Sequence, residues 1–269
     1  MGTGSIVGSI DVAQVTLYVF WIFFAGLIWY IRKEDRREGY PLENDVTGEY
    51  NKDPWLFLAQ PKTFVLPHGN GTVSYPDYSR DTRPIPGERL LPRYPGSPMR
   101  PTGDPMKLGI GPGSWAERPD RPDQWHDGKP KIVPLRVAEG FDIAEGDKDP
   151  RGMRIFGCDK ALAGTVAEVW VDRMEQMIRY LEVDLGTTAS EGEGASARRV
   201  LVPMTFCVYK KARGAETVVY VHAITSEQFA GVPALASMEQ ITLLEEEKVT
   251  AYFGAGQLYA TPERAEPLL

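Results

Sequence analysis

The chain is poor in the residues from which most catalytic and metal centres are built. Its 269 residues include two cysteines, Cys158 and Cys207, and three histidines, His68, His126 and His222. Two cysteines far apart make no disulfide scaffold. There is no CxxC pair and no HExxH, and three widely spaced histidines do not suggest a multi-histidine metal site. An excess of positive charge is also missing. The formal net charge is -7, so nucleic acid has no electrostatic support as a partner. A phosphate-binding loop is lacking too, since GIGPG at 109–113 departs from GxGxxG and follows no strand pattern. Only one apolar run is long enough to cross a bilayer, which excludes a bundle of spans.

That run is Val12 to Ile31, 20 residues without a charge. As a helix it is about 30 Å long, the thickness of the hydrocarbon layer. A signal peptide would carry basic residues before the run, but the first eleven residues contain no Lys or Arg. The basic residues come after it, at Arg32, Lys33, Arg36 and Arg37. The positive-inside rule then leaves residues 1–11 outside and the bulk of the chain in the cytoplasm. Trp29 and Tyr30 fall at the inner boundary, where amphipathic rings prefer to lie. Bulky aromatics around Ala25-Gly26 suggest a helix packed against other protein on one side.

Seventeen of the 22 prolines lie between Pro41 and Pro134. Proline removes a donor and fixes φ, so no long helix or central strand fits there. Trp55, Phe57, Phe64, Tyr75, Tyr78 and Trp115 are spread through this region, whereas disordered linkers are usually poor in aromatics. Residues 32–134 are therefore expected to be an extended segment laid along a partner. Within it, 63–66 and 72–75 are predicted strands around a turn at His68-Gly69-Asn70-Gly71. Beyond about residue 131 strand patterns dominate, at 164–171, 178–185, 200–209 and 217–224. Short strands at this spacing predict a small antiparallel barrel or curled sheet. Pro203 suggests an edge or bulge. Residues 187–197 are predicted to be a mobile hairpin loop. Cys207 and His222 are placed in strands, as core or sheet-face residues. A helix is expected after an N-cap at Ser237, continuing through Tyr252. Gly254 and Gly256 weaken that helix unless close packing uses them. The fold class is thus one N-terminal transmembrane helix plus a mainly β cytoplasmic domain over 135–260, with a C-terminal helix and a tail at 261–269.

Eight stretches, in order, resemble one family. They are WIFFAGLIWY at 21–30, REGYPLE at 37–43, KTFVLPHG at 62–69, PTGDPMK at 101–107, GPGSW at 111–115, GCD at 157–159, FAGVP at 229–233 and TLLEEEK at 242–248. Each is weak alone; together they resemble the H subunit of the purple-bacterial photosynthetic reaction centre, whose cytoplasmic domain is a PRC-barrel. The resemblance implies a non-pigment-binding accessory subunit, not an enzyme, in the inner (intracytoplasmic) membrane. It implies L and M subunits as partners. Those subunits would hold bacteriochlorophyll, bacteriopheophytin, quinones and non-haem iron. Light-harvesting antenna polypeptides and membrane lipids are further expected partners. A membrane-tethered adaptor and a single-pass enzyme are the rival classes, and the missing constellations disfavour the second.

The resemblance also implies site residues. Asp172 and Glu175, in WVDRMEQM, match positions on a proton path to the secondary quinone. Without it, they have the pattern of two exposed turn carboxylates. Neighbouring carboxylates push one apparent pKa up, which aids proton exchange near neutral pH. His126 and Asp127, in QWHDGKPKI, are candidates for proton entry, because histidine titrates near working pH. Tyr30, with Arg32 and Lys33, is a candidate for holding a lipid headgroup, and an aromatic-belt anchor accounts for Tyr30 equally well.

Overall fold

The computed structural model describes residues 5–7, 10–52, 54–77, 81–186, 198–211 and 216–265. The chain forms two compact units, Met1–Thr82 with Leu91–Pro98, and Arg83–Leu90 with Met99–Leu269. The proline-rich stretch is thus shared between the units, and the predicted loop at 187–197 lies outside the described residues.

In the first unit the apolar run is helix α1, Val12–Glu34, 23 residues long. It outlasts the predicted Ile31 by nearly one turn and continues into a 3-10 turn at Asp35–Arg37. Asp11 caps its start by accepting from the Gln14 amide at 2.7 Å, which satisfies one of the four free amides of a helix start. None of its side chains is buried. This is what a helix surrounded by lipid or partner protein presents when viewed alone. The predicted hairpin is present as β1, Lys62–Val65, and β2, Thr72–Tyr75, paired antiparallel. His68 stands in its connection at φ 58°, a turn residue as expected.

The second unit opens with a hairpin of β3, Gly87–Arg89, and β4, Met99–Pro101. Its main sheet has seven strands: β5 Ile132–Pro134, β6 Arg154–Phe156, β7 Leu162–Asp172, β8 Met177–Asp184, β9 Arg199–Pro203, β10 Cys207–Lys211 and β11 Thr217–Val221. The order is β9-β8-β7-β6-β11-β10, with β5 also paired to β7. All pairings are antiparallel except β6 with β11. Among the described residues the sheet does not close into a barrel, since β9 and β10 each have one sheet neighbour. Pro203 ends β9 at that edge, so the single strand expected over 200–209 is two strands with a 3-10 turn at Met204–Phe206 between them. Cys207 is half-buried, but His222 is exposed in the bend after β11 and not in a strand. The last five residues of β7, Glu168–Asp172, are all buried, because both faces of the sheet are covered there.

Helix α2 is Leu243–Tyr259. Its N-cap is Thr242, not Ser237. Thr242 Oγ1 accepts from the Glu245 amide at 3.1 Å, and Glu245 Oε2 accepts from the Thr242 amide at 2.8 Å. This reciprocal box outcompetes the lone serine upstream. The helix runs seven residues past the expected Tyr252 because its glycines are packing surfaces. A methyl group at Gly256 would overlap the Ala223 carbonyl, and one at Gly254 the Pro112 carbonyl. Phe253 is fully buried, stacked on Phe206 at 5.6 Å and edge-on to Phe229 at 6.4 Å. Gly256→Ala is therefore expected to lower stability by roughly 1–3 kcal/mol, although alanine is the better helix former. Denaturant unfolding of the purified chain measures the sign, and a stabilised variant would contradict close packing at this position.

Candidate functional site

At the end of β7 the chain turns through 173–176 into β8. Asp172 makes this turn. Its Oδ1 accepts from the Met174 and Glu175 amides at 2.9 and 3.0 Å, and its carbonyl accepts from the Gln176 amide at 2.8 Å. An aspartate that bonds the backbone two and three residues ahead is a common turn-forming device. Here it is also completely buried. Among the described residues, Asp172 Oδ2 has no hydrogen-bond partner. Two cations approach that oxygen, Lys131 Nζ at 3.5 Å and Arg179 Nε at 3.7 Å.

β5 brings Lys131 there, since the chain entering that strand runs beside the turn and Arg173 donates its amide to the Lys131 carbonyl at 2.9 Å. β8 brings Arg179, which also faces Glu175 Oε2 at 4.0 Å. Side-chain exposure falls along this group, from 50% at Glu175 through 38% at Arg179 and 17% at Lys131 to 0% at Asp172. The sequence candidates Asp172 and Glu175 therefore differ: one is buried, the other half in solvent, and Arg179 approaches both.

The proposed entry residues are arranged less evenly. Asp127 Oδ2 accepts from Arg173 Nη2 at 2.6 Å, which ties the 125–129 loop to the Asp172 turn. The Arg173 bond, reinforced by the Lys129 amide, holds the Asp127 carboxyl below its ordinary range against a smaller opposing effect of burial. His126 is exposed at the loop tip with its ring 4.3 Å from Trp125. No described contact joins it to a carboxylate of the turn. In the first unit, Tyr30 and Arg32 are both exposed but lie two residues apart on α1, so they do not share a face. Lys33 is on the face of Trp29, with Nζ 5.3 Å from that ring.

Sequence reasoning missed five members, Lys131, Asp123, Arg179, Tyr180 and Glu246. Asp123 Oδ2 is 3.8 Å from Lys131 Nζ, so this lysine lies between two aspartates. Tyr180 donates its hydroxyl to Glu246 Oε2 at 3.1 Å. Arg179, Tyr180 and Glu246 line an open groove of about 650 Å³ between β8 and the start of α2. Burial raises the Glu246 pKa, and the Tyr180 bond only partly offsets it. No local spacing links Glu246 to residue 172, because α2 is far away in sequence. Only Arg179, four residues after Glu175, left a signal.

A second buried acid has a different environment. Glu182 is fully buried, and both oxygens are engaged. Oε2 accepts from Trp170 Nε1 at 3.0 Å and Arg136 Nη1 at 3.2 Å, and Oε1 from Arg199 Nη1 at 2.7 Å. Arg136 also donates to the Met238 carbonyl. This carboxylate is saturated and reads as structural.

Two family models match the chain in succession. Residues 4–137 match the photosynthetic reaction centre H-chain N-terminal region, and residues 142–228 match the PRC-barrel domain.

The carboxyls of the site predict opposite pH dependences. The raised pKa of Glu246 means that the folded state binds its proton more tightly than the unfolded one. Its share of stability is full below the ordinary value of 4.5 and is lost as pH rises above it. Asp127 is the reverse, stabilising above its ordinary 3.8 and losing that effect as pH falls below it. In denaturant titrations across acid pH, Glu246→Gln should flatten the decline above 4.5, and Asp127→Asn should remove the rise in stability as pH climbs toward 3.8. An unchanged slope in either variant would contradict the assigned environment.

Proposed function

Because the chain belongs to the photosynthetic reaction-centre H-chain family, we propose that it caps the cytoplasmic side of the L and M subunits, stabilises their assembly and passes protons inward through the carboxylates around Asp172. Membership makes it an accessory subunit of a reaction centre and implies association with L and M. The pigments, quinones and iron belong to L and M in this reading. The basic residues Arg32, Lys33, Arg36 and Arg37 after the span support a cytoplasmic side for the bulk of the chain. Antenna polypeptides are further neighbours.

One observation supports the proton role above the rest: a fully buried carboxylate with one oxygen free of hydrogen bonds, facing two cations. Reduction of the secondary quinone to quinol takes up two electrons and two protons. Glu175, half exposed, accepts a proton from solvent. Asp172 holds the inner position, where Oδ2 is the atom available to a proton or a bridging water. Lys131 and Arg179 offset the mutual repulsion of the acids they face. Asp123 and Glu246 widen the collecting surface. Asp127 holds the loop through Arg173, and His126 at its tip is an additional solvent-facing acceptor. The adaptor reading is weaker, because a PRC-barrel alone does not call for the H-chain region that precedes it.

Glu175→Gln should leave the first light-driven charge separation intact and slow the proton-coupled second electron transfer by about tenfold, equivalent to roughly 1.4 kcal/mol of barrier. Asp172→Asn should act in the same direction, and the double variant should be less than additive if both acids serve one path. Flash-induced absorbance separates the two steps. An unchanged second step in a properly assembled double variant would return both residues to being ordinary carboxylates.

A further inference from the structure

The inner end of α1 is joined to a short segment that the sequence pattern did not single out. Trp29 Nε1 donates to the Leu56 carbonyl at 3.1 Å. Trp29 lies three residues before Arg32, about 5 Å along the axis on the apolar side of the first cation. The bond fixes the backbone of Leu56 at that depth. Around it, a 3-10 turn at Trp55–Phe57 sorts its side chains. Phe57 is half-buried under the Arg36 guanidinium, 4.9 Å from its ring, and Ala59 is buried. Trp55, Leu56 and Leu58 point outward, 81%, 46% and 46% exposed.

We propose that Trp55–Leu58 is a second membrane contact, a turn that enters the headgroup layer beside α1 and takes phospholipid on its exposed face. The inference rests on reading α1 as a span with its inner end near Arg32. Three side chains on one large apolar turn are costly in water, at about 25 cal/mol per Å² of apolar surface. The acyl boundary removes that cost, and an indole with one polar edge is suited to that depth. The charges agree. Lys33 follows Trp29 at i+4 on the same helix face, and Arg36 lies just beyond the helix in the 3-10 turn at Asp35–Arg37. Their cations lie over the Trp29 and Phe57 rings. Cations just outside an aromatic and aliphatic turn match a layer with phosphate above acyl chain, and anionic lipid adds to the attraction. The bilayer supplies its phosphates wherever α1 crosses, so the contact is continuous with the span.

Photo-crosslinking in the pigmented complex, in its native membrane, tests the proposal. Trp55→p-benzoylphenylalanine exchanges one exposed aromatic for another, and Leu58→p-benzoylphenylalanine repeats the test from a second position. After irradiation the chain should gain the mass of one phospholipid at each position. A polypeptide adduct, or an unmodified chain, at both positions overturns the proposal. Ile22→p-benzoylphenylalanine, at the most exposed side chain of α1, checks the premise. No adduct there removes the span and the proposal with it, whereas an adduct at Ile22 with bare chains at 55 and 58 removes the proposal alone. Co-purified pigment reports separately on the reaction-centre reading.

Discussion

A carboxylate removed from water must be met by donors, and the β domain holds two that are completely buried, Glu182 and Asp172. Glu182 is the one on which the architecture depends. Its three donors come from β7, from β9 and from the turn after β5, and Arg136 extends the group to the Met238 carbonyl ahead of α2. Four separate parts of the chain are thereby fixed on one side chain toward the end of β8. Leaving such a charge unpaired costs about 3–5 kcal/mol, so these elements hold their register together or lose it together. That shared register places the end of β7, and with it the second buried acid.

The two acids differ in one respect that bears on the proposed proton path. Glu182 is saturated, and protonating it would break bonds that hold the sheet. Asp172 uses one oxygen to build its turn and keeps the other free, next to two cations and close to a half-exposed glutamate. A group that must exchange protons needs an open site, a nearby source and neighbours that tolerate a change of charge. Only the second arrangement has all three. Most of the surrounding polar groups serve position. Arg173, held by Asp127 and the Pro130 carbonyl, braces the loop against the turn.

The sequence made some of this legible and hid the rest for identifiable reasons. The span could be read because twenty uncharged residues followed by four basic ones are a local pattern. The first hairpin could be read because turn residues separate two β-branched runs. The C-terminal helix was misplaced at both ends. Its capping box at Thr242 and Glu245 competes with an equally plausible serine, and its glycines are compensated by contacts with Ala223 and Pro112 that no local pattern shows. His222 looked like a strand residue because the apolar alternation continues past the last paired position. Asp172 and Glu175 come from the resemblance, but their difference in burial, and the cations Lys131 and Arg179 beside them, are set by tertiary structure.

Flash-induced proton uptake, followed with a pH-sensitive dye in the assembled complex, tests the central claim that Asp172 is on the path by which protons enter. With Asp172→Asn, charge separation on the first flash should match the unsubstituted complex, while proton uptake after the second flash should be slower. Uptake at the unsubstituted rate, in a complex with its full pigment content, would contradict the account and leave Asp172 as the residue that shapes a turn.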